Sequence, residues 1–219
     1  MKVNLSNAGA IAITVIGVFL LLPGLVAAQS SNGLYGAAAP DDAGFVRIVH
    51  GGGADPLRDI WIGATRFSEV APESASPYRP VDPGIHQILI GDQSQEIIPR
   101  RGSYYSVVVD RRRLVVLEDP EHTRPDRAQI FLYNFWDEGP LSLRTADGAT
   151  TLIEPVAHEA SGVIEVNPVP VELALFHGGE RIAQVGDPEL RRGQSYSVFV
   201  FGAAEDQRVF VEQAALVLE

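Results

Sequence analysis

The sequence predicts an all-β protein made of two tandem antiparallel β-sandwich domains of similar topology, joined by a short linker and preceded by a signal peptide. Three observations carry this. Apolar residues recur in short alternating runs broken by Gly, Pro and Asp, with almost nothing at helical period. The block RRGSYYSVVV, Arg100 to Val109, returns as RRGQSYSVFV, Arg191 to Val200. Finally, about 191 residues follow the leader, more than one small sandwich needs and suited to two units of roughly 80 to 95 each.

The elements follow in order. Lys2 supplies a thin positive start, and Ile11 to Val26 is apolar apart from Thr14, Gly17, Pro23 and Gly24. Small residues at Ala27 and Ala28 complete the pattern of a secretory signal over residues 1–28, cleaved near Ala28, and imply an exported protein. An N-terminal segment, 29–43, precedes the first sandwich at 44–119. That unit contains the strand runs FVRIVHG, DIWIG, IHQILIG, SYYSVVV and RLVVLED, with a Pro/Ser-rich stretch from Ala71 to Pro83 where no long strand is expected. The charged, proline-containing stretch that follows Asp119 reads as the linker, 120–127. The second sandwich, 128–219, contains IFLYNF, LSLRT, TLIEPV, VIEVNP, VELALFHG, RIAQVG, YSVFVFG and RVFVEQAALVL. Asp147-Gly148 and the His177–Glu180 turn supply hairpin chemistry. The order of elements agrees between the halves: an apolar opening strand, a Gly-containing turn, and an RRG turn feeding a late strand and a closing one.

Composition excludes several functions. The chain has no Cys, so neither disulfides nor thiolate chemistry enter. Its net charge is −11, and every cation after Lys2 is Arg. Bulk attraction to nucleic acid or anionic lipid is therefore excluded, and an acidic polysaccharide is repelled unless it meets a local arginine patch. The arginines at 100–101 and 111–113 flank one strand at a separation of about 23 Å, beyond two Debye lengths, and so read as solvated turns and not as one patch.

No catalytic constellation emerges. No serine sits in a Gly-x-Ser-x-Gly elbow. Gly91-Asp92-Gln93-Ser94 approaches the Gly-Asp-Ser block of small esterases but carries an extra residue. Asp119 and His122 match the Asp-x-x-His spacing of such enzymes, yet fall at the presumed linker without a serine block. His50, His86, His122, His158 and His177 include no ligand-pair spacing, and no calcium loop is present. No catalytic, cofactor or metal residue is assigned.

Strand alternation says more about surfaces. In DIWIG, Ile60 and Ile62 share one face, which turns Trp61 outward where it can stack on a sugar or dock on a protein. In IFLYNF, Ile130 and Leu132 take one face and Phe131, Tyr133 and Phe135 the other. Both faces are sticky, so either the two domains cover these surfaces with each other or a partner does.

Several local motifs fit one family. Leu34-Tyr35-Gly36 with Ala39-Pro40, then Gly44-Phe45-Val46-Arg47, opens the set. Leu143 to Gly148 (LRTADG), Pro155-Val156-Ala157, Glu165 to Val169 (EVNPV) and Val171 to Phe176 (VELALF) follow in the second half. In order and spacing they resemble the AlgF family of alginate O-acetylation proteins over essentially the whole mature chain. The resemblance implies a periplasmic, non-catalytic adaptor for acetylation of mannuronate residues of alginate or a related exopolysaccharide. It implies no cofactor. Its partners would be the exported acetyltransferase proteins, of serine-esterase type, with the membrane O-acyltransferase as a further one. Leu34, Tyr35 and Trp61 are the candidate partner-binding residues, and the acidity argues against direct polysaccharide contact. The alternative is a secreted carbohydrate-binding or adhesion module using Trp61; a third reading, an acetyl esterase or transferase, rests on Asp119 and His122 alone.

Overall fold

The computed structural model describes residues 42–218 apart from Arg112. The expected signal peptide and the segment carrying Leu34 and Tyr35 lie outside the described residues. Every regular element described is a strand. The first domain contains β1 (Gly44–His50), β2 (Leu57–Ile62), β3 (Thr65–Val70), β4 (Ser74–Ala75), β5 (Arg79–Val81), β6 (His86–Ile90), β7 (Gln93–Ile97), β8 (Tyr104–Asp110) and β9 (Arg113–Asp119). The second contains β10 (Ala128–Trp136), β11 (Leu141–Thr145), β12 (Thr151–Val156), β13 (Ala160–Val166), β14 (Leu173–His177), β15 (Glu180–Gly186), β16 (Ser195–Gly202) and β17 (Arg208–Gln213).

One sheet corresponds between the domains, with the two short strands β4 and β5 of the first taking the edge position that β13 alone fills in the second. In the first, β4 and β5 pair with one edge of β1, whose other edge runs parallel to β8, and β9 closes the sheet. In the second, the order is β13-β10-β16-β17, and β10 again runs parallel to β16. The RRG blocks build the same turn at the same place. Gly102 and Gly193 both sit at φ 70°, as the third residue of a type II turn requires. Each then donates its N–H backwards, Gly102 to Ala43 at 2.8 Å and Gly193 to Arg127 at 2.7 Å, which starts the parallel ladder. The repeat is therefore a turn that sets strand register, twice.

The other layer differs. In the second domain β12-β11-β14-β15 forms one continuous sheet. In the first, the β2–β3 and β6–β7 hairpins remain separate. In β2–β3 the register runs unshifted from Leu57–Val70 to Ile62–Thr65, with Asp59 at φ 52° between the Arg58–Glu69 and Ile60–Phe67 pairs. β3 and β7 escape sequence reading because TRFSEV and QSQEI are mostly polar.

Each domain buries its own core between its layers. Val46, Ile48, Ile60, Ile62, Ile88 and Val107 lie in the first, and Ile130, Leu132, Leu143, Leu175, Val198 and Val200 in the second. The opposite faces of the matching sheets meet each other. Val49 and Val108 from the first domain pack with Phe131, Tyr133, Phe135, Phe199 and Phe201 from the second, flanked by Val115, Leu117 and Phe210. The second apolar face of IFLYNF is covered by the neighbouring domain. Beyond β17 the chain crosses back: Leu216 bridges Tyr78, with Tyr78 N–H donating to the Ala215 carbonyl at 2.8 Å and Val217 N–H to that of Tyr78 at 2.9 Å.

Candidate functional site

The joint between the domains contains the most unusual chemistry in the molecule. Arg47 sits mid-strand in β1, on the face turned toward the second domain, and is fully buried. Its Nε donates to Ser106 Oγ at 2.8 Å, and its Nη2 donates to Tyr133 Oη and Ser197 Oγ, each at 2.9 Å. Ser106 and Ser197 are the matching serines of the two RRG blocks, so one guanidinium grips both copies. The rings of Tyr78, Tyr133 and Phe199 surround it, with its carbon 4.7 Å from the Tyr78 centroid and 5.4 Å from the other two.

The counter-charge is Asp119. Its Oδ2 accepts from Tyr78 and Ser106 hydroxyls at 2.7 Å each, and its Oδ1 accepts from Tyr133 at 2.6 Å. Two hydroxyls, Ser106 and Tyr133, thus bridge guanidinium to carboxylate. Burial alone would lower the Arg47 pKa, but Tyr78, Tyr133 and Asp119 more than offset this, and Arg47 stays above its ordinary value. Burial, with Asp119 alongside, pushes the phenols of Tyr78 and Tyr133 well above theirs. Exposed arginines reinforce the joint: Arg111 reaches Asp206 at 3.0 Å and Arg113 reaches Glu159 at 2.6 Å, both across the domains. The β8–β9 turn expected to be merely solvated instead clamps the second domain.

The Asp119–His122 pair can now be placed. Ser195, from the second RRG block, brings its Oγ to 3.5 Å from His122 Nδ1. That approach was invisible in sequence because the serine is distant along the chain. It does not make a nucleophile: Ser195 Oγ–H is directed to Gln129 Oε1 at 2.8 Å, and both Asp119 oxygens serve the hydroxyls above. The space beside them is a cavity of about 10 Å³, at the lower limit for a single water. Ser94 lies on the β6–β7 hairpin and donates to Gln87 Oε1 at 2.8 Å. Among the described residues, no three His, Asp or Glu side chains gather to hold a metal.

The outer face of the first domain is different in kind. Trp61 is 52% exposed, with Ile60 and Ile62 buried beneath it as alternation requires. Ile85, Leu89 and Ile98, on and beside the β6–β7 hairpin, are 68%, 67% and 52% exposed. The charges beside Trp61 cancel in pairs, Arg58 with Glu69 at 2.6 Å and Arg66 with Asp59 through its Nε at 2.8 Å.

Comparison with known proteins adds the lineage. Residues 17–197 match the family described as Alginate O-acetyl transferase AlgF. The alginate biosynthesis protein AlgF of Pseudomonas aeruginosa is 32% identical over 181 residues, covering 81% of this chain and 82% of that protein. Its counterpart in Azotobacter vinelandii is 29% identical over 180 residues, covering 82% of each. The solved C-terminal domain of the P. aeruginosa protein matches 40% of this chain and 98% of its own at 30% identity, with a TM-score of 0.37. The N-terminal domain matches 37% and 99% at 28% identity, with a TM-score of 0.33.

Proposed function

This chain belongs to the AlgF family, and on that premise we propose that it is an exported, non-catalytic adaptor for O-acetylation of alginate or a related exopolysaccharide. The observation that carries this reading is the fate of Ser195, the serine that lies against a histidine among the described residues. Ser195 is sealed in the domain joint with its proton directed to Gln129, so the residues that most resemble an acyl-transfer centre are spent on holding the domains together. What remains for function is surface. A two-domain body locked at its joint can present separated faces at a fixed spacing, which is what bringing transfer proteins together demands.

The adaptor binds the exported acetyltransferase proteins, and through them or directly the membrane O-acyltransferase. Contact is made by the exposed layer of the first domain, with Trp61 and the aliphatics Ile85, Leu89 and Ile98, together with Leu34 and Tyr35. Export through the signal at 1–28 places it in the periplasm with those partners. Deleting the gene is expected to leave polymer secretion intact and remove its acetyl groups. Capture of the exported acetyltransferases by the purified chain is expected to fall at least tenfold in Leu89→Asp and Ile98→Asp. An unchanged acetyl content per uronate in the deletion strain overturns the reading.

A further inference from the structure

We propose that Phe45, Tyr78 and Tyr104 form a strand-docking shelf that the chain keeps covered with its own segment Ala214–Leu218, and that an extended apolar segment of a protein partner takes that segment's place. The proposal rests on the adaptor reading only for the partner being a protein. Phe45 and Tyr104 face each other across the β1–β8 ladder with ring centroids 4.9 Å apart, and Tyr78 meets Tyr104 edge-on at 5.3 Å. All three belong to the first domain, where Tyr78 is anchored by its bond to Asp119 at 2.7 Å. Their apolar cover comes from beyond β17: Ala214, with Leu216 and Leu218 packed against the cluster.

The segment is held in the manner of an added strand. Tyr78 lies between β4 and β5 and turns its backbone outward, donating its N–H to the Ala215 carbonyl at 2.8 Å and accepting the Val217 N–H at 2.9 Å, which makes a parallel bridge to Leu216. Ala214, Leu216 and Leu218 point to the shelf, while Ala215 and Val217 between them are exposed. In strand addition, main-chain bonds give affinity and alternate side chains give specificity, so any segment with apolar residues two apart suits this seat. Attachment is slight. β17 pairs with β16 at six positions, whereas beyond it two backbone bonds and two half-covered leucines are set against the entropy of ordering five residues. That near balance makes the segment open far more readily than the strand it follows. Past Tyr104 the shelf continues into a groove of about 380 Å³ lined by Gly102, Ser103, Glu118, Pro120 and Glu121. Arg100 already holds Glu118, so Glu121 supplies the charge there. A partner segment that fills shelf and groove together carries two apolar residues two apart and a flanking basic one.

The test adds the fluorescein-labelled peptide EQAALVL, the sequence of residues 212–218, to three forms of the purified chain. These are the unmodified chain, a chain truncated after Gln213, and full-length Val217→Pro, which loses the N–H donated to Tyr78. Anisotropy is expected to show saturable binding to the two opened forms, at least tenfold weaker binding to the unmodified chain, and at least tenfold weaker binding of a peptide carrying Leu216→Asp. A lysine added at one end of the peptide or the other is expected to tighten binding about threefold, a gain lost in Glu121→Gln; no gain at either end strikes the basic residue from the assignment. In the unmodified chain the Tyr78 and Val217 amides are expected to exchange with solvent at least a hundredfold faster than those of β16. Exchange as slow as that of β16 makes the segment a fixed part of the fold and overturns the proposal, as does the absence of saturable peptide binding in both opened forms. A dimer of the unmodified chain that truncation abolishes assigns the shelf to a second copy and overturns the partner assignment. Capture of the exported acetyltransferases is expected to rise at least threefold in Val217→Pro and to fall again with added peptide. Capture indifferent to both overturns the partner assignment and leaves the adaptor reading intact, whereas peptide binding without capture by any form sinks the adaptor reading and leaves the shelf a docking site.

Discussion

The two domains share a sheet, a parallel strand pair and a turn, yet they place opposite chemistry at matching positions. Phe45 pairs with Tyr104 in the first ladder and Gln129 with Ser195 in the second, which makes Arg47 the counterpart of Phe131. Asp119 lies across from Tyr104, and Ala214 donates its N–H to the Ser195 carbonyl, which makes Asp119 the counterpart of Ala214. The first domain therefore brings a charged pair to the joint where the second brings a phenylalanine and an alanine. Two copies of one apolar face would cohere without any charge. The difference teaches that the joint is specified by one domain and lubricated by the other: the ion pair is satisfied only when Tyr133 and Ser197 arrive in one register. Apolar contact drives the docking, and the buried network selects which docking.

Breaking that network gives the largest effect. Arg47→Phe, which copies the second domain into the first, leaves Asp119 buried without its cation. It is expected to cost about 3–5 kcal/mol, as is Asp119→Ala. The double variant Arg47→Phe/Asp119→Ala removes both charges and is expected to be less destabilised than the sum of the singles by at least about 1 kcal/mol. Urea unfolding of the three variants decides it. Strict additivity would show that guanidinium and carboxylate do not act as one unit.

The reach of sequence reading follows from the same contrast. Alternation turns Trp61 outward and sets Ile130 and Leu132 on the face opposite Phe131, Tyr133 and Phe135, and the RRG repeat marks the duplication, because both are local properties of a strand or a turn. Arg47 was not legible. A lone charge within FVRIVH ordinarily marks the solvent face, and only the arrival of a second sheet on that face reverses the inference. The burial of Asp119 is illegible for a related reason: it closes the RLVVLED strand at the border of a charged stretch, and only the second domain covers it. β3 and β7 were missed because their burial depends on the partner strand of each hairpin. Contacts between distant segments decided each of these cases.

A second expected effect concerns alkaline pH. In the unfolded chain Tyr78 and Tyr133 ionise near the ordinary value of about 10. In the folded protein burial and the neighbouring Asp119 hold both phenols protonated well above that. The folded state thus keeps protons that the unfolded state has released, and stability, complete below about pH 10, falls as pH rises beyond it. Each phenol adds a slope of up to about 1.4 kcal/mol per pH unit until its own folded pKa is reached. Tyr78→Phe and Tyr133→Phe are each expected to flatten the loss between pH 10 and 11.5, although both lower stability at neutral pH. Unfolding curves at stepped pH measure this. An unchanged slope in both would place the pH dependence outside the joint and so separate the joint from the charge difference between the domains.

The smallest effect tests what the domains have in common. Gly102 and Gly193 share φ 70°, and neither has a close neighbour to resist a methyl group: nothing lies within 4 Å of a Cβ built on Gly102, and only the Pro125 carbonyl, at 3.5 Å, approaches one on Gly193. Substitution by alanine therefore isolates the backbone cost of a left-handed residue, about 1–2 kcal/mol. Gly102→Ala and Gly193→Ala are expected to destabilise by the same amount, within about 0.5 kcal/mol of each other. Their equality would hold despite the unlike sheets beyond each turn, since the turn is complete before the strand reaches the joint. A much larger loss at Gly102 than at Gly193 would mean that the turn is coupled to the Arg47 network through Ser106, four residues downstream of Gly102, and that the duplicated motif carries unequal loads in its two settings.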